Sequence, residues 1–217
     1  MLENLCEVYK NISDNKTANE VTIVCATKTV SADKINQLPS HNLFIAGENR
    51  VQEFLEKVDS VKGVKWHIIG RLQTNKVKYV VGKVDLIESV DRVELVDEIE
   101  KQSAKKQVKT DVLIQINGGN EENKGGVEIE KLKDLLDYAK SKEHVVLRGI
   151  MSVFPKDAPN ELYANVKNAY DKYKDEYGLS ILSMGMSNDY VTAVRNGATQ
   201  VRLGSVLFGK REGGTNE

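Results

Sequence analysis

Eight short apolar runs, separated from one another by stretches with helical spacing, constrain the fold of this 217-residue chain more than any other feature. The runs are rich in β-branched and aliphatic residues, which is typical of strands that are covered on both faces. Because a helical stretch lies between every two runs, the pattern predicts right-handed crossovers and a parallel sheet. The eight runs begin at Val21, Leu43, Lys65, Leu86, Asp111, Val145, Leu179 and Gln200.

Eight consecutive strand–helix units close naturally into a barrel, and the length of the chain lies near the lower end of the range for such a barrel, which starts at about 200 residues. We therefore predict a single TIM-type (β/α)8 barrel over residues 1–210, a polar tail over residues 211–217 and no second domain. An open doubly wound sheet is the structural alternative. Against it, no Gly-x-Gly-x-x-Gly sequence follows any predicted strand.

The charge balance and the cysteine content exclude several functional classes. Lysine and arginine number 31 and aspartate and glutamate number 32, which leaves no basic excess for nucleic-acid binding. Cys6 and Cys25 form neither a disulfide framework nor a metal-ligand spacing, and no apolar run is long enough to cross a bilayer. We therefore predict a cytoplasmic protein without metal, nucleic-acid or membrane partners.

The first strand, predicted over Val21–Lys28, ends in a lysine. In a barrel, Lys28 would point from the C-terminal end of its strand into the mouth, where barrels of this class hold their active sites. An amine in a partly dry pocket has its charged form disfavoured, and it becomes a nucleophile that can form a Schiff base. The alternative interpretation is a solvated lysine at the end of a strand.

The loops after the seventh and eighth predicted strands combine glycine with serine, as Gly185 with Ser187 and Gly204 with Ser205. Barrels often bind phosphate in these two loops. The glycines would let the backbone approach an anion, and the serines would supply hydroxyl and backbone donors. Glycine and serine are also ordinary turn residues, so either loop alone is a weak signal.

Barrel closure would place the eighth strand beside the first, which makes Arg202 a neighbour of Lys28. An amine, a phosphate site and a cationic partner for a ring nitrogen are together the requirements of pyridoxal 5'-phosphate. An arginine can only donate and stays protonated, so it would keep the pyridine ring neutral. A neutral pyridine is a weak electron sink, which predicts restrained carbanion chemistry.

Seven segments that cover most of the chain in order carry a family resemblance. They are Ala26–Thr29, Gly47–Glu53, Trp66–Lys76, Arg148–Met151, Leu182–Asp189, Val201–Ser205 and Phe208–Gly209. The chain resembles the YggS/PROSC family of pyridoxal phosphate homeostasis proteins, which are similar to the barrel domain of alanine racemase (pyridoxal phosphate fold type III). The segment Ser152–Pro155 departs from the family pattern.

The resemblance implies a set of residues that contact the cofactor. Lys28 would form the Schiff base, Arg202 would face the pyridine nitrogen, and Asn49 would lie beside the ring near its hydroxyl group. The phosphate would be held by Ser187, Gly204 and Ser205. The resemblance implies a carrier that buffers pyridoxal phosphate or delivers it to apoenzymes, and no catalytic residue. The missing second domain favours a monomer.

An amino-acid racemase on the same barrel is the alternative function. That mechanism needs a base on each face of the cofactor. In the alanine racemases that this barrel resembles, the opposing tyrosine and part of the substrate pocket come from a second domain and a partner subunit. Among the tyrosines here, Tyr190 alone follows a mouth loop, and Tyr163, Tyr170, Tyr173 and Tyr177 lie in helical patterns. A phosphate-sugar enzyme is a third and weaker interpretation.

Four further residues have open roles. Glu48 follows the second strand, where it would either orient Lys28 or Asn49 or be an exposed loop carboxylate. His67, inside the third strand, is interpreted as a hydrogen-bonded packing residue, with general acid–base catalysis as the alternative. Met184 and Met186 are expected to pack around the phosphate loop.

Overall fold

Eight parallel strands form a closed barrel in the computed structural model, which describes residues 4–119 and 125–209. Each strand pairs with the next along the chain, and the last pairs with the first, so the prediction of a single (β/α)8 barrel is confirmed. The strands are β1 (Thr22–Ala26), β2 (Ile45–Glu48), β3 (Lys65–Ile68), β4 (Leu86–Val90), β5 (Thr110–Ile116), β6 (Val145–Ser152), β7 (Ile181–Met186) and β8 (Gln200–Leu203).

Helices lie outside the barrel and cover it with their apolar faces. The longest, α7 (Asn160–Tyr177), buries Tyr163, Tyr170, Tyr173 and Tyr177, as predicted for its helical pattern. The other α-helices within the described ranges are α1 (Leu5–Asn15), α2 (Ala32–Ile35), α3 (Val51–Lys57), α4 (Val77–Val80), α5 (Val93–Lys106), α6 (Leu132–Lys140), α8 (Tyr190–Arg195) and α9 (Ser205–Phe208). None of the described helices is both long enough and apolar enough to span a membrane.

Several strand boundaries differ from the sequence prediction, and the differences in β1 and β2 affect predicted site residues. β1 ends at Ala26, so Lys28 lies on the turn that follows the strand and not on the strand itself. β2 starts at Ile45, because the backbone N–H of Leu43 still closes the preceding turn by donating to the carbonyl of Leu38 at 3.1 Å. β2 also ends later than predicted. Its last residue is Glu48, which was predicted to lie in the loop after the strand.

The seam of the barrel brings the two ends of the chain together. β1 and β8 pair in parallel, with Val24 opposite Arg202. Outside this seam, α1 packs against α8, and the side chain of Asn11 donates a hydrogen bond to the hydroxyl of Tyr190 at 2.9 Å. The turn after β1 and the loop after β8 therefore lie side by side at the mouth. The predicted tail over residues 211–217 lies outside the described residues, as does the end of the predicted barrel domain at residue 210.

Candidate functional site

A cavity of about 310 Å³ opens at the C-terminal ends of the strands. Three of the predicted site residues line it, namely Lys28, Asn49 and Arg202. The volume lies at the lower end of the range of about 300–1,000 Å³ that is typical of small-molecule sites. The remaining walls include Met151 and Met186, and the sulfur-bearing side chain of Met186 is 39 % exposed. We call this space the mouth cavity.

A second cavity of about 500 Å³ adjoins the mouth cavity along the turn after β1. Two more predicted site residues, Gly204 and Ser205, line this neighbouring space. The two cavities share Ala26 and Lys28, so Lys28 forms part of the boundary between them. We call the second space the phosphate cavity, because the predicted phosphate loop after β8 forms one of its walls.

The sixth predicted residue, Ser187, joins the two mouth loops. Its hydroxyl oxygen accepts hydrogen bonds from the backbone N–H groups of Gly204 at 3.1 Å and Val206 at 3.3 Å. The loops after β7 and β8 are thus in contact, as the sequence predicted. The six predicted residues lie together at one end of the barrel, and their contacts with a cofactor stay a prediction.

Gly185 has a different role from the one that we expected. Its φ angle is +94°, and a Cβ atom there would lie 2.5 Å from the Cβ atom of Ala193 and 3.0 Å from the Cα atom of Tyr190. Glycine is needed at this position because α8 packs closely against it, in a backbone conformation that other residues rarely adopt. Close packing with α8 is sufficient to explain the glycine at position 185, and the approach of an anion to its backbone stays a prediction.

The Arg202 side chain is buried at the floor of the mouth cavity, with only 4 % of the residue exposed. Its Nη1 atom donates to the hydroxyl of Ser183 at 2.7 Å, and its Nη2 atom donates to the backbone carbonyl of Ser152 at 2.7 Å. A guanidinium group carries five N–H donors in a fixed fork. The two bonds orient the fork and leave further donors for an acceptor inside the cavity.

A fully buried carboxylate, that of Glu88 in β4, lies behind Arg202. Its Oε1 atom accepts hydrogen bonds from Nδ1 of His67 at 2.7 Å and Nε2 of Gln200 at 2.9 Å. Its Oε2 atom accepts one from the hydroxyl of Ser183 at 2.7 Å and lies 4.0 Å from Nη1 of Arg202. A carboxylate can only accept, so His67 must carry its proton on Nδ1. We call these five side chains the interior network.

Glu88 and Arg202, two members of the interior network, are charged although they are buried. Burial alone would raise the pKa of Glu88, but the hydrogen bond and charge of His67, followed by the charge of Arg202, hold that pKa below its usual value of 4.5. Burial lowers the pKa of Arg202, and the negative charge of Glu88 opposes that shift. Glu88 is thus an anion at neutral pH, and it is the counter-charge of the cation at the floor of the mouth cavity.

Two of the residues with open roles are now assigned. His67 is buried and hydrogen-bonded inside the barrel, as interpreted, and it also borders a cavity of about 880 Å³ at the opposite end of the barrel. Both interpretations of Glu48 are wrong. This residue is fully buried, and its Oε1 atom accepts from Nζ of Lys57 at 2.7 Å and from the hydroxyl of Thr27 at 2.8 Å. It neither orients a mouth residue nor faces solvent.

The two methionines of the phosphate loop differ in their burial. Met184 is fully buried in the core, as expected. Met186 was also expected to pack, but its side chain is exposed at the mouth, because the last residue of a barrel strand lies at the rim, where the helical layer no longer covers it.

Sequence reasoning missed three members of the interior network: Glu88, Ser183 and Gln200. One signal was present, because Glu88 is an acidic residue in the middle of the apolar run Leu86–Val90. A charged residue is rarely buried unless it is paired, so this position alone indicated an interior partner. Ser183 and Gln200 carried no comparable signal, since single polar residues are common in strands.

Tyrosine hydroxyl groups are absent from the mouth. All eight tyrosines of the chain lie within the described ranges, and none of them lines the mouth cavity or the phosphate cavity. Tyr190, the one tyrosine that follows a mouth loop, is buried at the start of α8 and bonded to Asn11. Nor do the described residues contain any cluster of three side chains that could bind a metal ion.

Comparison with known proteins gives the family. The sequence profile of the alanine racemase N-terminal domain matches residues 7–212. A relative named pyridoxal phosphate homeostasis protein, from Aquifex aeolicus, is 44 % identical over 202 residues, which are 89 % of this chain and 89 % of that protein.

Solved structures agree with this result. PipY of Synechococcus elongatus, in a structure with pyridoxal phosphate bound, has a TM-score of 0.83 and 26 % identity, with coverage of 96 % of this chain and 99 % of PipY. Alanine racemase of Clostridium difficile has a TM-score of 0.76 at 18 % identity, and it shares the fold over 97 % of this chain but only 60 % of its own. The chain therefore belongs to the pyridoxal phosphate homeostasis protein family, within the larger group of proteins that contain the alanine racemase N-terminal domain.

Proposed function

We propose that this protein binds pyridoxal 5'-phosphate covalently through Lys28 and acts in intracellular vitamin B6 homeostasis, buffering the cofactor or delivering it to apoenzymes. The name of the Aquifex relative and the cofactor bound to PipY support this function. We further propose that residues 1–210 form the cofactor-binding barrel, that residues 211–217 are a polar tail, and that the protein is a cytoplasmic monomer.

One observation carries the proposal: Lys28 lies on the boundary between two adjoining cavities, which differ in their polar groups. On pyridoxal phosphate, the aldehyde neighbours the phosphate arm and lies across the ring from the nitrogen. The mouth cavity, with Arg202 at its floor, matches the ring. The phosphate cavity, with Gly204 and Ser205 in its wall, matches the phosphate arm. An amine between the two cavities is therefore placed for the aldehyde.

The other residues would bind and orient the cofactor. Arg202 would donate to the ring nitrogen with the donors that the interior network leaves unused, and Asn49 would contact the ring from the opposite wall. Ser187 would hold the loop after β8 in position for the phosphate. When bound, pyridoxal phosphate supplies an aldehyde and an electron-withdrawing ring. A permanently cationic arginine at the nitrogen keeps that ring a weak electron sink, which suits a carrier better than a catalyst.

Among the described residues, no tyrosine supplies the second base that the racemase alternative needs. A racemase removes a proton on one face of the cofactor and returns it on the other, so it needs a basic group on each face. The mouth cavity offers Lys28, but no tyrosine of the chain lines that cavity. We therefore propose that the protein has no substantial racemase activity.

Replacement of Lys28 tests the covalent site. We expect Lys28→Ala to abolish reductive trapping of pyridoxal phosphate by borohydride, as measured by mass spectrometry of the intact protein. The matched control is Lys34→Ala, because Lys34 is an exposed lysine that lines the same phosphate cavity. Trapping that is unchanged in Lys28→Ala and lost in Lys34→Ala would contradict the proposed site.

Replacement of Ser205 tests the phosphate cavity. We expect Ser205→Asp to weaken pyridoxal phosphate binding about tenfold or more, because it places a carboxylate against the phosphate group. Absorbance titration of the apoprotein measures the dissociation constant. Ser205→Asn is the control of similar size without charge. Equal affinities of Ser205→Asp and the wild type would place the phosphate elsewhere.

Addition of L-alanine distinguishes the carrier from the racemase. We expect the absorbance band of the bound cofactor to persist in excess L-alanine, with no accumulation of D-alanine in a chiral assay. Rapid formation of D-alanine would replace the proposed function with that of an unusually small racemase.

A further inference from the structure

A third cavity of about 690 Å³ lies beside the mouth, between the loops that follow β2 and β3. Its lining contains four cationic side chains and no carboxylate: the cations are Arg50, Arg71, Lys76 and Arg92. Over the whole chain, basic and acidic residues are balanced at 31 and 32. The cavity is therefore a local concentration of positive charge on a nearly neutral protein. We call it the basic cavity.

Three of these cations form no ion pair with a described carboxylate. Arg92 forms an ion pair with Asp91 and donates to the carbonyl of Leu72 at 3.0 Å, so it is part of the protein framework. Within residues 4–119 and 125–209, no carboxylate lies within 4.0 Å of the charged groups of Arg50, Arg71 or Lys76. Like charges that line one concave wall repel one another, and they raise the local concentration of anions.

Neutral donors accompany the cations. The side-chain amides of Asn49, Gln73 and Asn75 line the basic cavity and form no hydrogen bond with any described residue. Phosphate groups accept several hydrogen bonds at once, and guanidinium groups match them with two parallel donors. Cations with adjacent unused amide donors are the chemistry that binds phosphate.

The basic cavity is continuous with the mouth cavity. Asn49 and Arg71 line both spaces, so a ligand in the basic cavity would lie next to the mouth cavity. The phosphate cavity lies on the other side of the mouth, next to β8, and it shares no lining residue with the basic cavity. The rim of the barrel therefore has two separate anion-attracting regions.

We infer that the basic cavity is a second binding site, for a small phosphate-bearing molecule, and that it is filled independently of the cofactor site. Its volume exceeds the needs of a single phosphate ion, so it has room for a pyrophosphate or for a phosphate ester with an organic group. The inference rests on the charges of the basic cavity and does not require that Lys28 binds pyridoxal phosphate.

Calorimetric titration with inorganic pyrophosphate tests this site. We expect one pyrophosphate to bind, at low ionic strength, to each protein molecule that has first been loaded with pyridoxal phosphate and separated from the excess. Lys76→Gln and Arg50→Gln should each raise the dissociation constant about tenfold, because each removes one charged donor from the site. The matched control is Lys78→Gln: Lys78 is an exposed lysine of α4 that does not line the basic cavity.

The same titration is run on wild-type protein saturated with pyridoxal phosphate and on Lys28→Ala. Equal pyrophosphate affinity in both would show that the second site is independent of the cofactor, whatever the trapping experiment gives. Absence of pyrophosphate binding, or an equal loss in Lys78→Gln and Lys76→Gln, would overturn the inference.

A second arm identifies the source of the phosphate group. Pyridoxamine 5'-phosphate carries the ring and phosphate but no aldehyde, and pyridoxamine lacks the phosphate. Tighter binding of pyridoxamine 5'-phosphate than of pyrophosphate to the loaded protein would assign the site to phosphorylated pyridines. Weaker binding would assign it to inorganic or other polyphosphates. Binding of pyridoxamine as strong as that of its phosphate would contradict a phosphate site.

Discussion

Two glutamates of this barrel are completely buried, but their surroundings differ. Glu88 lies inside the barrel, where both of its carboxylate oxygens accept hydrogen bonds and its Oε2 atom lies 4.0 Å from Nη1 of Arg202. Glu48 ends β2, where its Oε1 atom binds Lys57 and Thr27, while its Oε2 atom has no hydrogen-bond partner. Burial raises the pKa of Glu48, and the bonds from Lys57 and Thr27 only reduce that rise.

The difference shows what each buried charge does. Around Glu88, every donor is fixed by a strand of the barrel, so the ionised form is favoured and can hold Arg202 in one orientation. Around Glu48, one partner is the long side chain of Lys57, which is 11 % exposed and also lies 3.5 Å from Glu53. Glu48 joins β2 to α3, whereas Glu88 maintains the charge at the floor of the mouth cavity.

Glu88→Gln should have the largest effect on stability. The new amide group would face a donor of His67, Gln200 or Ser183, whichever oxygen it replaces. Arg202 would also lose its counter-charge. We expect a loss of about 3 kcal/mol in the free energy of unfolding, measured with urea, because one partner of a buried pair is removed. A loss below about 1 kcal/mol would mean that Arg202 does not depend on this carboxylate.

Glu48→Gln is the matched substitution in the outer layer, and it should change the free energy of unfolding by no more than about 1 kcal/mol. The glutamine oxygen can still accept from Lys57 and Thr27, and the amide replaces an oxygen that has no partner. Glu53 remains as a second acceptor for Lys57. If the two glutamine variants lost equal stability in the same urea experiment, the contrast between the carboxylates would be wrong.

The two carboxylates should change the free energy of unfolding with pH in opposite directions. This is the smallest of the expected effects. The pKa of Glu88 is lowered in the folded protein, so its contribution is present above pH 4.5 and is lost as the pH falls below that value. The pKa of Glu48 is raised, so the folded protein loses stability as the pH rises from 4.5 towards the folded pKa.

Each effect is limited to about 1.4 kcal/mol per pH unit for one proton. Thermal unfolding between pH 3 and pH 8 would measure both. Glu88→Gln should flatten the acid side of the stability curve, and Glu48→Gln should remove the decline above pH 4.5. The opposite assignment of the two slopes would contradict the pKa directions.

The barrel could be predicted from the sequence because the fold depends on a repeated pattern. Alternation of apolar runs and helical stretches is a local property, and it is sufficient to give the order of the strands and their closure. The positions of Lys28 and Arg202 at one end follow from closure. The residues near strand ends were harder to assign. Lys28 lies after β1, because β1 ends earlier than predicted, and Glu48 lies in β2, because β2 ends later than predicted.

The interior network could not be predicted in the same way. Which side chains of β3, β4, β7 and β8 meet inside the barrel depends on strand register, and the pairings of β4 with β5, and of β7 with β8, contain register shifts. Neither shift has a signal in the sequence. The contact of Ser183 with Glu88, which are 95 residues apart, is set by those registers.

The hydroxyl of Ser187 has a consequence for the exchange of ligands. It ties the backbone of the loop after β8 to the loop after β7 without the help of any bound molecule. A loop that must become ordered around a ligand loses conformational entropy on binding, which weakens its affinity for the ligand. Here that ordering is completed when the chain folds. Ligand binding and release then need no rearrangement of this backbone. Under the proposed attachment to Lys28, the residence time of the cofactor would depend on the reversible bond to that amine.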